Sequence, residues 1–216
     1  MIRSITRKKA EDEIDRFLKD MTRIFIIGCG TCTTMTNTGG EPEVRAMGEN
    51  LAAKGKLVTG HIVLPVACDN LTLQVLEEYG KKIEQCHALL IMTCAFGVQN
   101  IASKMKKPVI PALDTLFIGK EKGVGRFDEI CIQCGTCILG ETGGICPVTS
   151  CHKGLLNGPC GGTDKGKCEI DRDKDCAWTL IYERLKEFGS LDLMRRLQGP
   201  RNHQGEPKPG KWIARV

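Results

Sequence analysis

The sequence predicts an α/β protein in which a flavodoxin-like or Rossmann-like parallel sheet is followed by a small cysteine-rich, metal-bound C-terminal module with helices. Three observations predict this. Apolar strand-like runs alternate with helical segments between residues 21 and 115. Eight cysteines then crowd into a stretch without strand or helix periodicity, and the chain of 216 residues carries 13 cysteines in all. A segment without a side-chain core needs something else at its centre, and clustered thiols indicate metal.

The first elements follow from their hydrophobic patterns. Residues 1–20 are predicted to form an N-terminal helix with its apolar residues on one face. Residues 21–115 are predicted to form the parallel α/β domain, because its strand-like runs are nearly continuous in Val, Ile and Leu, as in a sheet covered on both faces. Those runs are RIFIIG, KLVTGHIVLPVA, HALLIMT and PVIPALD.

A Gly- and Lys-rich linker, FIGKEKGVGRFDE, leads into a cysteine-rich module over residues 126–198. Within the module, DCAWTLIYERLKEFG is predicted to be a helix that Asp175 caps and Gly189 ends, and Ser190 caps a second short helix. Residues 199–216 are rich in Gly, Pro and charge, and we expect an extended tail whose Trp212 and Ile213 dock on a partner or on the body.

The composition excludes several classes of protein. A hydrophobic content of 41% and a charged content of 26% are ordinary for a globular chain. The net charge of +5 is too small and scattered to indicate nucleic-acid binding. The charged N-terminus has no secretory signal and no apolar run could span a bilayer, so a cytoplasmic location is expected. Since the cytosol keeps thiols reduced, the cysteines indicate metal instead of disulfides.

Four cysteines follow three of the predicted strands where each strand ends. Cys29 and Cys32 follow the first strand, Cys68 follows the second and Cys94 ends the third. Ligands of open parallel sheets bind beyond the carboxyl ends of the strands, where the loops converge. We therefore predict a four-cysteine metal site at this edge, with buried free cysteines as the alternative. Cys86 precedes the third strand, lies at the opposite edge and is assigned to structure.

The second cysteine set has a more specific spacing. The run CIQCGTCILGETGGICP contains the Cys-x2-Cys-x2-Cys rhythm of bacterial ferredoxin loops and ends in Cys-Pro, although eight residues, instead of three, precede the last cysteine. This rhythm favours iron–sulfur over zinc, which would use two Cys-x2-Cys pairs. The module holds enough thiols for two four-thiolate sites, and spacing does not divide them. The predicted ligands are Cys131, Cys134, Cys137, Cys146, Cys151, Cys160, Cys168 and Cys176.

No constellation for acid–base or nucleophilic catalysis is present. The sequence has no Ser-His-Asp order, P-loop or His-Glu-x-x-His motif, so no catalytic residue and no binding residue for an organic cofactor is predicted. The histidines are scattered, and only His152 lies beside a predicted ligand. The loops after the strands could cradle a flavin phosphate, but cysteines occupy that position.

One sequence motif, the repeated phrase, occurs twice. Cys-Gly-Thr-Cys is followed by Thr-Gly-Gly in CGTCTTMTNTGG, from Cys29, and again in CGTCILGETGG, from Cys134. We interpret each copy as a loop in which two thiolates reach one metal while Gly and Thr keep the backbone close. The Thr-Gly-Gly is predicted to supply a following turn that permits positive φ.

These residues carry a family resemblance. The run from CIQCGTC to the end of CAWTLIYERLKEFGSLDLM resembles, almost end to end, the methylenetetrahydrofolate reductase C-terminal-type domain, and the blocks GLLNGPCGG and CAWTLIYERLK make the resemblance specific. In the first half, GCGTC, TGGEPEV and TCAFGVQ are similar to the MetV-type small subunits of two-subunit methylenetetrahydrofolate reductases. The resemblance covers roughly residues 22–197.

The resemblance implies an iron–sulfur electron-transfer subunit without catalytic residues of its own. Its partner would be a flavin-bearing TIM-barrel subunit that reduces 5,10-methylenetetrahydrofolate to 5-methyltetrahydrofolate, in the methyl branch of the Wood-Ljungdahl pathway, with a further electron-donor subunit left open. The implied metals are [4Fe–4S] clusters, one on the N-terminal domain and at least one on the C-terminal module. Either Zn²⁺ or another cluster suits the remaining four-cysteine site.

Two other classes of protein stay open at this point. One is a zinc-stabilised structural or interaction module without a redox role. The other is a thiol–disulfide oxidoreductase, which the crowd of cysteines disfavours because such enzymes need one exposed pair.

Overall fold

The computed structural model describes residues 2–200, apart from the side chains of residues 2, 72 and 73. The predicted tail docking through Trp212 and Ile213 lies outside the described residues. The chain divides into two compact units, Met1–Asp128 and Glu129–Val216. In the described part, no helix is both long and apolar enough to cross a membrane.

The first unit contains a four-stranded parallel sheet, as predicted. Its strands and helices, with those of the rest of the unit, are β1 (Ile2–Lys8), α1 (Glu11–Phe17), β2 (Arg23–Cys29), α2 (Cys32–Met35), α3 (Glu41–Ala53), β3 (Leu57–Leu64), a 3-10 helix (Leu71–Tyr79), α4 (Gly80–Gln85), β4 (Ala88–Met92), α5 (Ala95–Lys104), β5 (Val109–Pro111), β6 (Leu113–Gly123) and β7 (Arg126–Glu129). The parallel sheet has the order β3-β2-β4-β5. This is the 2-1-3-4 order of flavodoxin-like folds, with the switch point between β2 and β4.

The central strands β2 and β4 are buried on both faces, which explains their continuous apolar runs. Phe25, Ile27, Leu89 and Ile91 enter one hydrophobic cluster. The alternate residues Ile24, Ile26, Leu90 and Met92 enter the other. Side chains alternate between the two faces of a strand, so both faces need apolar residues when helices cover both.

The predicted helix over residues 1–20 is wrong for its first half. Residues 2–8 form β1, which pairs antiparallel with β6, and the helix is confined to α1. Ile14 and Leu18 enter the core beside the parallel sheet, whereas Ile5 is buried on the antiparallel sheet. The strand pairs with residues 113–120, and such distant pairing overrides the local periodicity from which a helix is predicted.

The predicted linker is also largely structured. Most of FIGKEKGVGRFDE lies in β6 and β7, which extend the second sheet in the order β1-β6-β7. Gly125 adopts a φ of +70° at the turn between them, a conformation that glycine takes without strain. The boundary between the two units follows Asp128, one residue before β7 ends.

The second unit has little regular structure, in agreement with its sequence pattern. Its helices are α6 (Pro147–Ser150), α7 (Ala177–Glu187) and a 3-10 helix (Leu191–Arg195). Helix α7 buries Trp178, Ile181 and Leu185 in a small hydrophobic cluster. Gly189 follows it with a φ of +67°. The N-cap is Cys176, so the prediction of Asp175 at this position is wrong by one residue.

Candidate metal centres

The first predicted site lies at the carboxyl edge of the parallel sheet. Cys29 ends β2, Cys32 begins α2, Cys68 follows β3 and Cys94 caps α5. Cys29 and Cys94 are buried, Cys32 is half-buried and Cys68 is exposed. The site is therefore closed on the side of the sheet and open toward Cys68.

The other three thiols of the predicted site affect the pKa of Cys68. Burial raises the pKa of the Cys68 thiol, and negative charge on Cys94, Cys29 and Cys32 raises it further. A charge shifts a pKa only over a short distance, so Cys94, Cys29 and Cys32 lie in the neighbourhood of Cys68. Thiols bind metal as thiolates, which repel one another. The positive charge of a bound cation would offset that repulsion. Backbone N–H of Ala67 donates to Cys29 Sγ at 3.5 Å.

Threonine hydroxyls hold the loop that carries Cys29 and Cys32. Thr33 and Thr34 both donate to the carbonyl oxygen of Cys29, at 3.1 and 2.7 Å. Thr36 donates to the carbonyl oxygen of Cys32 at 3.0 Å. Threonine readily makes such local bonds to the backbone. The threonines of the run TCTTMTNT thus form local hydrogen bonds that hold the backbone of Cys29 and Cys32 in place.

The glycines that follow this loop allow close approach of backbones. A Cβ at Gly39 would collide with the carbonyl oxygen of Met92 on β4. The Gly39 carbonyl accepts a hydrogen bond from Cys29 N at 3.0 Å. Gly40 then begins α3, its N–H donating to Glu43 Oε2 at 2.9 Å. Glycine is required at Gly39 because the loop packs directly on the end of the neighbouring strand.

The two copies of the repeated phrase have different backbones. In the second copy Gly143 and Gly144 have φ of +59° and +80°, as predicted. In the first copy Gly40 has a φ of −78°, and Gly39 is absent from the described glycines with positive φ. The predicted positive-φ turn is therefore wrong for the first copy, where glycine serves close packing instead.

The eight cysteines of the second unit fall into two groups of four, which their spacing in the sequence does not reveal. Cys151, Cys160, Cys168 and Cys176 line one small cavity, together with Trp178 and other residues. The cavity has a volume of about 20 Å³, which is on the scale of a single water molecule. The last four cysteines in the chain thus form one group.

Cys176 sits at the N-terminus of α7 among hydrogen-bond donors. Burial pushes the pKa of its thiol upward, but the Thr179 hydroxyl, the N–H groups of Thr179 and Trp178 and the Thr163 hydroxyl outweigh burial, so the pKa lies below its ordinary value. Donors and a helix N-terminus stabilise the thiolate form. This is the form that binds metal.

A charged pair flanks the same cavity. Cys160 Sγ donates to Glu169 Oε1 at 3.4 Å, and Lys153 forms an ion pair with the same carboxylate. Lys153 lowers the pKa of Glu169, and the hydrogen bond from Cys160 lowers it further. His152, the histidine nearest to the predicted ligands, lies 3.5 Å from Asp171 instead.

The remaining four cysteines lie on a loop with little regular structure. Cys131 and Cys137 are exposed, and Cys134 and Cys146 are half-buried. Gln133, between the first two, has a φ of +50° and donates through its backbone N–H to Cys131 Sγ at 3.4 Å. A non-glycine residue in this region is uncommon and often marks a functional loop.

The described side chains do not form a ready-made site for a single metal ion. Within residues 2–200, no group of three or more His, Cys, Asp or Glu side chains is arranged to hold one ion. Thiolates around one zinc ion each lie about 2.3 Å from it, so the sulfur atoms of both groups would have to move closer. The fold brings the cysteines of each group into the same region, but it does not place their sulfur atoms at the distances of a zinc site.

Three threonines that the sequence does not single out contact the N-terminal cysteine site. Thr6 on β1 and Thr115 on β6 each form a hydrogen bond to a cysteine-bearing loop, and the partner of Thr6 is the hydroxyl of Thr38. The sequence predicts a helix over residues 1–20 and a linker over residues 117–129, so it predicts neither β1 nor most of β6. The one available signal is the set of β-branched residues Ile2, Ile5 and Thr6 in IRSITRK, a residue type that favours strands.

The fold and sites define an α/β protein with a cysteine group at a sheet edge and a cysteine-rich C-terminal unit. Residues 110–204 match the family model described as methylene-tetrahydrofolate reductase C terminal. The predicted resemblance is confirmed for this segment. No curated protein and no solved structure matches the chain.

Proposed function

We propose that the chain is the iron–sulfur electron-transfer subunit of a two-subunit methylenetetrahydrofolate reductase. The family match over residues 110–204 supports the link to that enzyme. The observation that carries the electron-transfer role is the convergence of thiols from three separate βα loops at one sheet edge. Thiolates from distant parts of a chain are the typical ligands of iron–sulfur clusters.

The chain's residues fit the clusters that this role requires. Cys29, Cys32, Cys68 and Cys94 would hold one [4Fe–4S] cluster, and at least one more would lie in the C-terminal unit. Bound clusters would supply one-electron transfer. The protein's own contribution is burial of Cys29 and Cys94 and hydrogen bonding to sulfur, such as that from Ala67 N, both of which tune cluster potentials.

The catalytic step belongs to the partner in this proposal. That partner would be a flavin-bearing TIM-barrel subunit that forms 5-methyltetrahydrofolate, and an additional electron-donor subunit is compatible with the same role. The open side of the N-terminal site, at the exposed Cys68, gives a partner access to within a short distance of the cluster. The sequence offers no acid–base constellation that would place the chemistry on this chain.

The test is anaerobic purification of the chain with its co-expressed partner, followed by counting of iron, acid-labile sulfide and zinc per chain. We expect iron and sulfide in equal amounts and a visible absorption that dithionite bleaches. Reduction of methylenetetrahydrofolate by the complex should require this chain. A colourless, fully active complex without iron on this chain would refute the proposal.

A second candidate function is a zinc-stabilised structural or interaction module. It is favoured by the small cavity that Cys151, Cys160, Cys168 and Cys176 line, since four thiolates around a single ion form a closed structural site. Zinc at this position together with iron elsewhere would agree with the electron-transfer role. Zinc alone, with no iron on the chain, would favour the structural role.

A further inference from the structure

One pair of threonines connects the antiparallel sheet to both sides of the N-terminal cysteine site. Thr6 on β1 and Thr115 on β6 are direct cross-strand neighbours. Thr6 Oγ1 lies 2.6 Å from the hydroxyl of Thr38, in the loop after Cys32. Thr115 Oγ1 accepts a hydrogen bond of 2.8 Å from the backbone N–H of Ala95, the residue after Cys94.

The contact of Thr6 continues to the backbone of a cysteine. Thr38 Oγ1 lies 3.0 Å from Thr36 Oγ1, and Thr36 Oγ1 donates to the carbonyl oxygen of Cys32 at 3.0 Å. Thr6 and Thr38 are 6% and 8% exposed. Buried hydroxyl chains of this kind polarise one another and are costly to break.

The local geometry of the strands favours this arrangement. The register shifts between Ile5 and Thr6, because Ile5 pairs with Phe117 whereas Thr6 pairs with Thr115. The extra residue on β6 is therefore Leu116, as in a β-bulge, and bulges redirect side chains near functional sites. Lys9, which directly follows β1, forms an ion pair with Asp114 on β6, with 2.6 Å between Nζ and Oδ1. This ion pair links the ends of the two strands.

We propose that Thr6 and Thr115 are positioning residues that fix the separation between the Cys29–Cys32 loop and the Cys94 loop. The inference rests on the proposed function, in which these thiols hold one cluster. A cluster needs its ligands at set distances, and residues that act through hydrogen bonds to the ligand loops set them. The antiparallel sheet is a rigid element that supplies both bonds from adjacent positions.

The test uses the full chain with Thr6→Val, Thr115→Val, the conservative variants Thr6→Ser and Thr115→Ser, and Thr59→Val as matched control. Thr59 Oγ1 donates to Ile24 O at 3.4 Å in the same domain, away from the cysteine loops. Reduced, metal-free protein is treated with iodoacetamide, and mass spectrometry follows the alkylation rate of each cysteine. Buried Cys86, at the opposite edge, reports global unfolding.

We expect Thr6→Val to speed alkylation of Cys32, and Thr115→Val that of Cys94, by about fivefold or more, because loss of a buried hydrogen bond lets a loop open more often. The serine variants should keep the wild-type rates, and Cys86 should be unchanged throughout. Rates within twofold of wild type in both valine variants would overturn the proposal. Equal acceleration in Thr59→Val, or at Cys86, would also overturn it, since the effect would then be general destabilisation.

A second measurement separates this inference from the proposed function. After anaerobic reconstitution with iron and sulfide, the valine variants should lose iron to a chelator several-fold faster and shift the midpoint potential of one cluster, and serine should restore both. A wild-type chain that binds no iron, yet shows the expected alkylation pattern, refutes the cluster and supports positioning of the thiols. Iron bound equally well in all variants, with unchanged potentials, refutes the positioning alone.

Discussion

At the scale of single residues, the buried cysteines differ in their neighbours and therefore in the roles proposed for them. Cys29 and Cys94 are buried at the sheet edge beside other thiols, whereas Cys86 is buried alone at the opposite edge and donates to the carbonyl oxygen of Ile83 at 3.0 Å. Burial alone also raises the pKa of Cys86, without a neighbouring thiol among the causes. Since no thiol is among these causes, Cys86 is assigned to packing and not to metal ligation.

This difference predicts the outcome of two substitutions. Cys94→Ser and Cys32→Ser should each remove the iron of one cluster and leave the C-terminal iron in place, because oxygen is a poorer ligand than thiolate for this metal. Cys86→Ser is the matched control and should keep the full iron content, since a hydroxyl can make the same bond to Ile83. Iron analysis and the cluster's electron paramagnetic resonance signal check the result. Complete loss of iron, or none, would contradict the sheet-edge site.

The thiol of Cys176 provides a second prediction at this scale. Its pKa lies below the ordinary value of 9.0 because hydrogen-bond donors outweigh burial. Thr179→Val removes the hydroxyl donor, so the pKa should rise and the thiolate fraction near pH 8 should fall. The pH dependence of Cys176 alkylation in metal-free protein measures this. Thr149→Val, which removes a bond to Ile130 O, should leave the profile in place; a profile unchanged by Thr179→Val would speak against thiolate stabilisation.

At the scale of elements, the ends of β2 and β4 and the loop between Cys29 and Gly40 form one packed unit. The loop approaches β4 so closely that Gly39 has no room for a side chain against Met92 O. The same loop is tied by threonine hydroxyls to the Cys29 and Cys32 carbonyls. Packing and hydrogen bonds together make the ligand backbone rigid, which a site with fixed ligand distances requires.

Gly39→Ala should therefore destabilise the first unit by about 1–3 kcal/mol, the usual cost of overpacking, and should lower iron retention at the sheet-edge site. The matched control is Gly80→Ala: a Cβ there meets nothing within 4 Å, and its φ of −46° is helical. That control should be neutral or stabilising by about 0.5–1 kcal/mol. Urea unfolding monitored by circular dichroism measures both, and equal stability of the two variants would disprove the packing argument.

At the scale of the whole molecule, the two units differ in what holds them together. Met1–Asp128 contains two large hydrophobic clusters on either side of its parallel sheet. In Glu129–Val216, the described cluster is built on three buried residues of α7. A small core contributes little stability, so metal ligation would have to supply the rest.

Metal removal should consequently act unequally on the two units. Anaerobic chelation is expected to raise hydrogen exchange over residues 129–176 to near the unfolded rate, while β2 and β4 stay protected. The reason is that the first unit keeps its apolar core without metal, whereas the second loses its cross-links. Hydrogen-exchange mass spectrometry before and after chelation measures this. Full protection of residues 129–176 without metal would show that side-chain packing suffices there.

The sequence alone determined the parallel sheet, the position of the first cysteine group and α7, because local pattern encodes each of them. Continuous apolar runs mark β2 and β4, a βα order places Cys29, Cys68 and Cys94 at one edge, and a 3.6-residue period marks the helix. The cysteine-rich run also carried the family resemblance.

Only the tertiary structure decided the rest, because the contacts join residues that are distant in the chain. Strand β1 exists through pairing with β6, and the two were expected to be helix and linker. The grouping of Cys151 with Cys176 depends on a cavity that closes around them. Threonine spacing gives no sign that Thr6 and Thr115 become neighbours, since long-range register is set by packing and not by local propensity.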